Sequence, residues 1–294
     1  MQELKARLVG TSVGLWLLGL RDTLSIVRAA CRSPERVGTV ANDHLAALLA
    51  VSICRPGHVF VDVGAHIGSI IASAKRRSRP SKIVAIEAIP ERADSLRKRF
   101  PDVQVTQCAV GASEGTDIAF FVNEARSGYS SLARGKGSRE IRVPLRTLDS
   151  VLVGNDIDVI KIDIEGAELG ALRGAVRVLS RHRPTVMFES APGCGLRLGY
   201  STTALWRFFD EIGYVVVAPN RLAHDGDGMS LEAFNDGHLY PRRTTNYFAV
   251  ARERREELRE RARRVLGIRA APGPRSGARD SVLAPVSAFA PHDA

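Results

Sequence analysis

The sequence predicts an α/β fold, a mainly parallel sheet with helices on both faces. Three observations carry that reading. Short β-branched runs alternate with helical segments from residue 58 onward, the pattern of successive βαβ units. The run Val59–Val63 carries Asp62 at its C-terminal end and breaks into a glycine turn, VFVDVGAHIG over residues 59–68. A second run, KIVAIE at Lys82–Glu87, ends on another carboxylate, Glu87, one βαβ unit further on.

Taken in order, residues 1–57 predict a helical N-terminal cap, in which apolar His44–Cys54 stops at Pro56-Gly57. Residues 58–251 form the main domain. They begin with strand 58–63, helix 68–77, strand 82–87, helix 90–99 and strand 103–108. Pro90 suits a first helical turn, and Ala93, Leu96 and Phe100 supply that helix's apolar stripe. Segment 115–145 interrupts the alternation with two strand-like runs, Asp117–Val122 and Glu140–Pro144, around a glycine- and serine-rich loop, Ser127–Gly137. Strand 157–163, helix 167–180 and strand 185–189 resume it. Helix 202–212, strand 214–218, a loop over 219–243 and strand Asn246–Ala251 follow. Residues 252–267 predict a charged helix, and the Ala-, Pro- and Gly-rich tail 268–294 is expected to be disordered.

Composition narrows the function classes. A chain of 294 residues with 45% apolar content holds one large core with short additions. The net charge of +10 is concentrated in Lys75–Arg79, Arg92–Arg99 and Arg252–Arg264. In the last run, arginines alternate with Glu253, Glu256, Glu257 and Glu260, which favours a self-paired solvated helix over a nucleic-acid arm. No nucleic-acid module or aromatic stacking array is visible, so no nucleic-acid partner is expected. Cys31, Cys54, Cys108 and Cys194 are scattered without C-x-x-C spacing and read as reduced thiols of a cytoplasmic protein. The uncharged run Leu8–Leu20 is too short for a membrane span and lacks a signal-peptide cleavage site. It is expected to pack on the domain or on a second subunit of a homo-oligomer. The alternative is peripheral membrane contact, with Trp16 at the headgroup level.

The glycine turn indicates the ligand. Gly64 and Gly68 are spaced G-x-x-x-G, whereas a dinucleotide fingerprint is G-x-G-x-x-G, and His66 stands where its middle glycine belongs. An acidic residue ahead of the turn suits a cationic ligand better than a pyrophosphate. S-adenosylmethionine carries an ammonium and a sulfonium and no phosphate. Glu87 is placed to accept hydrogen bonds from both ribose hydroxyls. A nicotinamide-dependent oxidoreductase is the runner-up, disfavoured by the missing glycine. A non-catalytic adenosine-binding protein is the alternative outside enzymes.

Residues 147–175, TLDSVLVGNDIDVIKIDIEGAELGALRGA, add an unusual strand with a lysine in its interior, Lys161. A buried lysine costs several kcal/mol unless paired. Lys161 and Asp163 lie two apart and point to the same face, so Lys161 is expected to pair with Asp163 or a neighbouring carboxylate. Glu165 leads the turn that follows, Gly166 relaxes it, and Glu168 falls in the first helical turn.

Together these stretches resemble the FkbM-type family of S-adenosylmethionine-dependent methyltransferases. The matching motifs are VDVGAHIG at 61–68, IEAIPE at 86–91, SGYSSL at 127–132, LDS at 148–150 with DVIKIDIEGAELGALRGA ending at Ala175, and FES at 188–190. The resemblance spans residues 55–250, and KIDIEGAE with the preceding LDS is its most specific part. His66 departs from the family's usual Asn, and IEAIP from a form closer to FEP, so the pocket wall differs while the acidic anchors remain. The resemblance implies the class I methyltransferase sheet, Rossmann-like, with a final antiparallel strand. It also implies O-methylation of a hydroxyl on a sugar, polyketide or related metabolite.

The expected cofactor contacts are Asp62, Gly64, Ala65, His66, Gly68, Glu87, Ala88, Ala109 and Asp163. Methyl transfer needs an aligned acceptor and a base for its proton. The expected catalytic set is Glu165, Asp163, Glu189 and Lys161, with Glu165 first choice as base. No metal is expected. A divalent cation on Asp163 and Glu189 is the secondary route, since no compact ligand motif is visible in the chain.

Overall fold

The computed structural model describes residues 12–123, 130–135, 137–193 and 195–268. The first eleven residues of the predicted cap, residues 124–129 and 136 in and before the Ser127–Gly137 loop, Cys194 and the tail from residue 269 lie outside the described residues. The strands are β1 (Val59–Val63), β2 (Lys82–Glu87), β3 (Gln104–Gln107), β4 (Ala109–Val110), β5 (Gly115–Val122), β6 (Arg139–Arg146), β7 (Val159–Ile162), β8 (Thr185–Glu189), β9 (Tyr214–Val217) and β10 (Asn246–Ala251). Seven of them form one sheet, ordered β3-β2-β1-β7-β8-β10-β9. Only β10 runs against its neighbours β8 and β9; the other pairings are parallel. This is the class I methyltransferase sheet expected from the sequence.

Helices cover both faces. They are α1 (Ser12–Arg32), α2 (Val37–Ile53), α3 (Ser69–Arg77), α4 (Pro90–Arg99), α5 (Leu148–Val151), α6 (Glu168–Arg173), α7 (Val176–His182), α8 (Thr202–Glu211), α9 (Leu231–Asp236) and α10 (Arg255–Leu266). Strand alternation sorts the side chains between the two faces. Val61, Val63, Val84, Ile86, Ile160 and Ile162 join Leu169, Leu172, Leu179 and Phe209 in one core. Phe60, Ile83, Ala85 and Val159 join Leu49, Ile71, Leu96 and Leu258 in the other. Asp62, Glu87 and Lys161 share the parity of this second set, so their polar ends converge on one side of the sheet.

Four elements differ from the sequence-based expectation. The strand expected over 103–108 ends at Gln107, and the chain crosses at Cys108 into a second, three-stranded sheet ordered β4-β6-β5. Strand β6 continues past Pro144 to Arg146, although proline cannot donate to a ladder. Its partner β5 shifts register between Gly115 and Ile118, opposite this stretch, so the missing donor falls at an irregularity. The helix expected over 167–180 divides into α6 and α7 at Gly174–Ala175. A Cβ at Gly174 would collide with the Gly111 carbonyl oxygen, and Asp149 accepts from Arg177 N and Val178 N at 3.0 and 2.9 Å, capping the second helix. Within the expected loop 219–243 lies α9, whose N-cap Ser230 accepts from Ala233 N.

The charged C-terminal helix pairs as expected, Arg259 with Glu256 and Arg263 with Glu260, and it also reaches Asp225 on the neighbouring loop. Its buried side, Leu258 and Ala262, packs on the core. Helix α2 is tied to the start of β10 through Asp43, which accepts from Thr244 Oγ1, Thr245 N and Thr245 Oγ1 at 2.7, 2.8 and 3.0 Å.

Gly174 is where backbone meets backbone. Gly174→Ala should destabilise the fold by about 1–3 kcal/mol through overpacking. Gly38→Ala, at a helical position with open space around it, should not lower stability. Urea unfolding of the two variants checks the contrast.

Candidate active site

The site forms where β1, β2 and β7 end. Gly64 adopts φ +78 and lies so close to β7 that a Cβ would collide with the Asp163 carbonyl oxygen. Only glycine serves there. The turn is fixed to β2 by Gly64 N and Ala65 N, which both donate to Ile86 O at 2.9 and 3.1 Å. Next along the turn, His66 adopts a left-handed φ of 50, and its N–H donates to Glu87 Oε2 at 2.8 Å. Glu87 Oε1 accepts from Ile89 N at 3.0 Å. Burial raises the Glu87 carboxyl pKa, and the Ile89 N–H works against that rise. The Glu87 carboxylate thus fixes both the first turn and the chain leaving β2.

Behind the turn lies a buried ion pair. Asp62 and Lys161 are register partners on β1 and β7. Lys161 Nζ sits 3.1 Å from Asp62 Oδ1 and donates to Gly64 O at 2.9 Å and Val63 O at 3.3 Å. Asp163 Oδ2 is more distant, at 3.7 Å. Burial alone would lower the lysine pKa; Asp62 and then Asp163 outweigh it and hold the ammonium charged. The expected pairing of Lys161 is therefore found, with Asp62 as the nearer partner.

A cleft of about 220 Å³ opens in front of these strand ends. Gly64, Ala65, His66, Glu87, Ala88, Ala109, Asp163 and Glu165 line it, together with Arg92, Phe120, Ser130 and Leu132. Asp62 does not line it, being 1% exposed behind the turn. Nor does Gly68, which caps α3 with φ +79, where a Cβ would press on Leu96 and Phe100. Lys161 is likewise behind the wall. The reason is the same for all three: the pleat and the turn direct them into packing.

Glu165 occupies a left-handed φ of 56, uncommon for a residue with a Cβ. Two contacts hold this turn. Ser131 Oγ donates to Glu165 O at 2.9 Å, and buried Glu168 accepts through Oε1 from Ile164 N and Gly166 N, both at 3.1 Å. Glu168 Oε2 accepts from the Tyr200 hydroxyl at 3.0 Å. Burial, and after it Asp163 and Glu168, push the Glu165 pKa up to about 8. Burial, and after it Asp163, Glu165 and Glu168, raise Glu189 well above the carboxylate range. His66 is lowered to about 4 by burial, then by Arg92 and Lys161, so its ring is neutral near pH 7.

Glu189, at the end of β8, lines a second cleft of about 430 Å³ with Glu168, Ser190, Tyr200, Thr202, Asn235 and His238. Carboxylate oxygens of Asp163, Glu165 and Glu189 lie within 4.8 Å of one another, where the two clefts approach. This is a compact oxygen set that could hold a divalent cation, which was not evident from the linear spacing. Sequence reasoning also missed Arg92, whose only signal was a position in the first turn after IEAIP, and the Ser190–His238 hydrogen bond of 2.9 Å, which joins residues 48 apart.

Comparison with known proteins shows the family. The sequence model of the methyltransferase FkbM domain matches residues 62–216, more than half of the chain. The chain belongs to the FkbM family of S-adenosylmethionine-dependent methyltransferases. A curated relative, methyltransferase sdnD of Sordaria araneosa, is 28% identical over an alignment that covers 39% of this chain and 59% of that protein. The chain thus spans less than two thirds of that relative's length. Among solved structures, methyltransferase FkbM of Methylobacillus flagellatus KT is 19% identical, covers 67% of this chain and 44% of its own, and gives a TM-score of 0.39. A TehB-like SAM-dependent methyltransferase of Corynebacterium glutamicum is 12% identical over 70% of this chain and 85% of its own, with a TM-score of 0.38. The motifs of the FkbM resemblance that fall at 61–68, 86–91 and 158–168 are the segments that meet at the first cleft.

In this member of the FkbM family the ion pair behind the glycine turn is a stability element. Lys161→Met should leave Asp62 buried and unpaired, costing about 3–5 kcal/mol. The double variant Asp62→Asn/Lys161→Met should recover part of that loss. Denaturant midpoints of the three proteins give the coupling.

Proposed function

We propose that this chain is an S-adenosylmethionine-dependent O-methyltransferase acting on a hydroxyl of a small molecule such as a sugar, a polyketide or a related metabolite. The observation that carries the reading is the convergence of Asp163, Glu165 and Glu189 within 4.8 Å where the two clefts approach. The first cleft takes the cofactor, and the second, with its Ser, Thr, Asn and Tyr side chains beside Leu196, Leu205 and Leu239, takes the acceptor.

The residues present fit the cofactor. Each oxygen of Glu87 accepts one backbone N–H, and a carboxylate offers about four lone-pair sites, so two remain for ribose hydroxyls. With the cofactor in this cleft, Gly64, Ala65 and His66 would border its methionine portion, Ala88 and Ala109 its adenosine portion, and Asp163 would face its cationic groups. Asp62, Lys161 and Gly68 act through the turn they support. Bound S-adenosylmethionine supplies a methyl group already activated by its sulfonium.

The protein's part is alignment and proton removal. Glu165 accepts the acceptor hydroxyl proton, and Glu189 orients that hydroxyl from the second cleft. A Glu165 pKa near 8 suits a base working at neutral pH, and a cation arriving beside it draws the value down. The FkbM match weighs against the nicotinamide-dependent alternative. Incubation of small-molecule extracts with methyl-labelled donor, followed by mass spectrometry, tests the reading. A labelled O-methyl ether is the expected product. Label on nitrogen or carbon would overturn the O-methyl assignment, and no turnover on any acceptor would favour the non-catalytic alternative.

Glu87→Ala should weaken cofactor binding by about 1–3 kcal/mol, read by calorimetry. Glu165→Gln should cut methyl transfer by about 10²-fold or more while cofactor affinity stays near parental. The base must be ionised, so with cofactor bound kcat/KM for the acceptor should rise with pH and level off, with its midpoint at or below about 8. That limb should vanish in Glu165→Gln. Loss of turnover on chelation, restored by magnesium, would instead assign the carboxylates to a metal.

A further inference from the structure

Helix α1 forms an outer layer that the proposed chemistry does not use. Its inner side rests on α2, where Ser25 Oγ and His44 Nε2 share a hydrogen bond of 2.6 Å and Asp22 approaches His44 Nδ1 at 3.6 Å. Asp22, Ser25, Ile26 and Ala29 are the half-buried positions of this part of the helix. The opposite face is apolar and open: Leu20, Leu24 and Val27 are 41%, 56% and 52% exposed, and Cys31 continues their line. Spacings of four, three and four residues keep the four on one stripe about 16 Å long. Arg21, Arg28 and Arg32 fall together along one edge of that stripe. Arg21 pairs with Asp22, which leaves Arg28 and Arg32 as the basic edge facing away from the packed side. Helix α1 also contacts α3, whose last turn adds exposed Arg76 and Arg77.

We propose that this face docks on an anionic lipid surface, with α1 lying in the plane of the headgroups. Apolar side chains beside arginines whose stems can reach along the interface are the arrangement such a surface selects. The protein's excess of positive charge acts in the same direction. No helix among the described residues is long and apolar enough to cross a membrane. A second copy of the chain is the weaker occupant. Three half-exposed aliphatic side chains offer a small part of the roughly 800 Å² per partner that a stable complex buries.

Vesicle co-sedimentation of the full chain decides between them. The probes are vesicles of phosphatidylcholine alone and vesicles in which about a third is phosphatidylglycerol. Binding to the anionic vesicles is expected, with weakening at about 0.5 M NaCl, where screening shortens to a few Å. Arg28→Glu/Arg32→Glu should reduce it roughly tenfold or more. Leu24→Asp/Val27→Asp should abolish it while melting temperature and cofactor affinity stay parental, which shows the variant is folded. No binding to anionic vesicles, or equal binding to neutral ones, would overturn the proposal. So would a dimer in size-exclusion chromatography that Leu24→Asp/Val27→Asp converts to monomer.

Discussion

Lys161 is the point on which the site depends. Its ammonium is shared by a carboxylate on β1, the last carbonyl of that strand and the carbonyl of the glycine turn. Burying two charges costs more than their attraction returns unless further hydrogen bonds complete the shell. Here backbone oxygens complete it, so the same bonds that make the lysine tolerable also fix the path of Val63 and Gly64. Gly64 in turn fits against the carbonyl of Asp163 with no space for a side chain. The strand end that borders the first cleft and the strand end that bears the acids are thus held as one unit.

The electrostatics in front of that unit are unbalanced by design of the fold. Asp163, Glu165 and Glu189 converge, Glu168 stands close behind, and Lys161 is the cation that acts on them from the rear. Burial first, and like charges this close after it, shift Glu165 and Glu189 upward, and a retained proton or an arriving cation relieves them. A ligand that brings positive charge finds this region prepared for it. Glu168 serves a different purpose despite its place in the motif. It receives two backbone N–H groups and a tyrosine hydroxyl, and so holds the left-handed turn that presents Glu165.

The order of the main strands was legible because each strand ends in a residue type that its position requires. Val59–Val63 and Lys82–Glu87 were found to the residue or within one, since β-branched runs bounded by turn signals leave little freedom. The carboxylates that meet at the site were legible too, because strand ends in an open α/β sheet gather at one edge. What the sequence concealed depended on contacts distant along the chain. The break at Gly174 comes from the backbone of Gly111, and the tolerance of Pro144 comes from a register shift in the partner strand. Whether Asp62 faces the ligand or a lysine is decided by a neighbouring strand 99 residues away, and local pattern carries no such information. Arg92 was read as part of a basic run because helical periodicity does not say which charge turns toward a cleft.

The three-stranded sheet has a different standing from the main one. It supplies Phe120 to the first cleft, flanks Ser130 and Leu132, and reaches the acid turn through the bond from Ser131 to the Glu165 carbonyl, while its ladder is separate from the seven strands. Because that bond uses a main-chain oxygen, it does not depend on which residue occupies position 165. Mutations that reshape the small sheet therefore alter the wall that a molecule meets without disturbing the ladder that makes the protein foldable. Over generations, such a division lets a lineage wander from one molecular shape to another while the inherited chemistry stays intact.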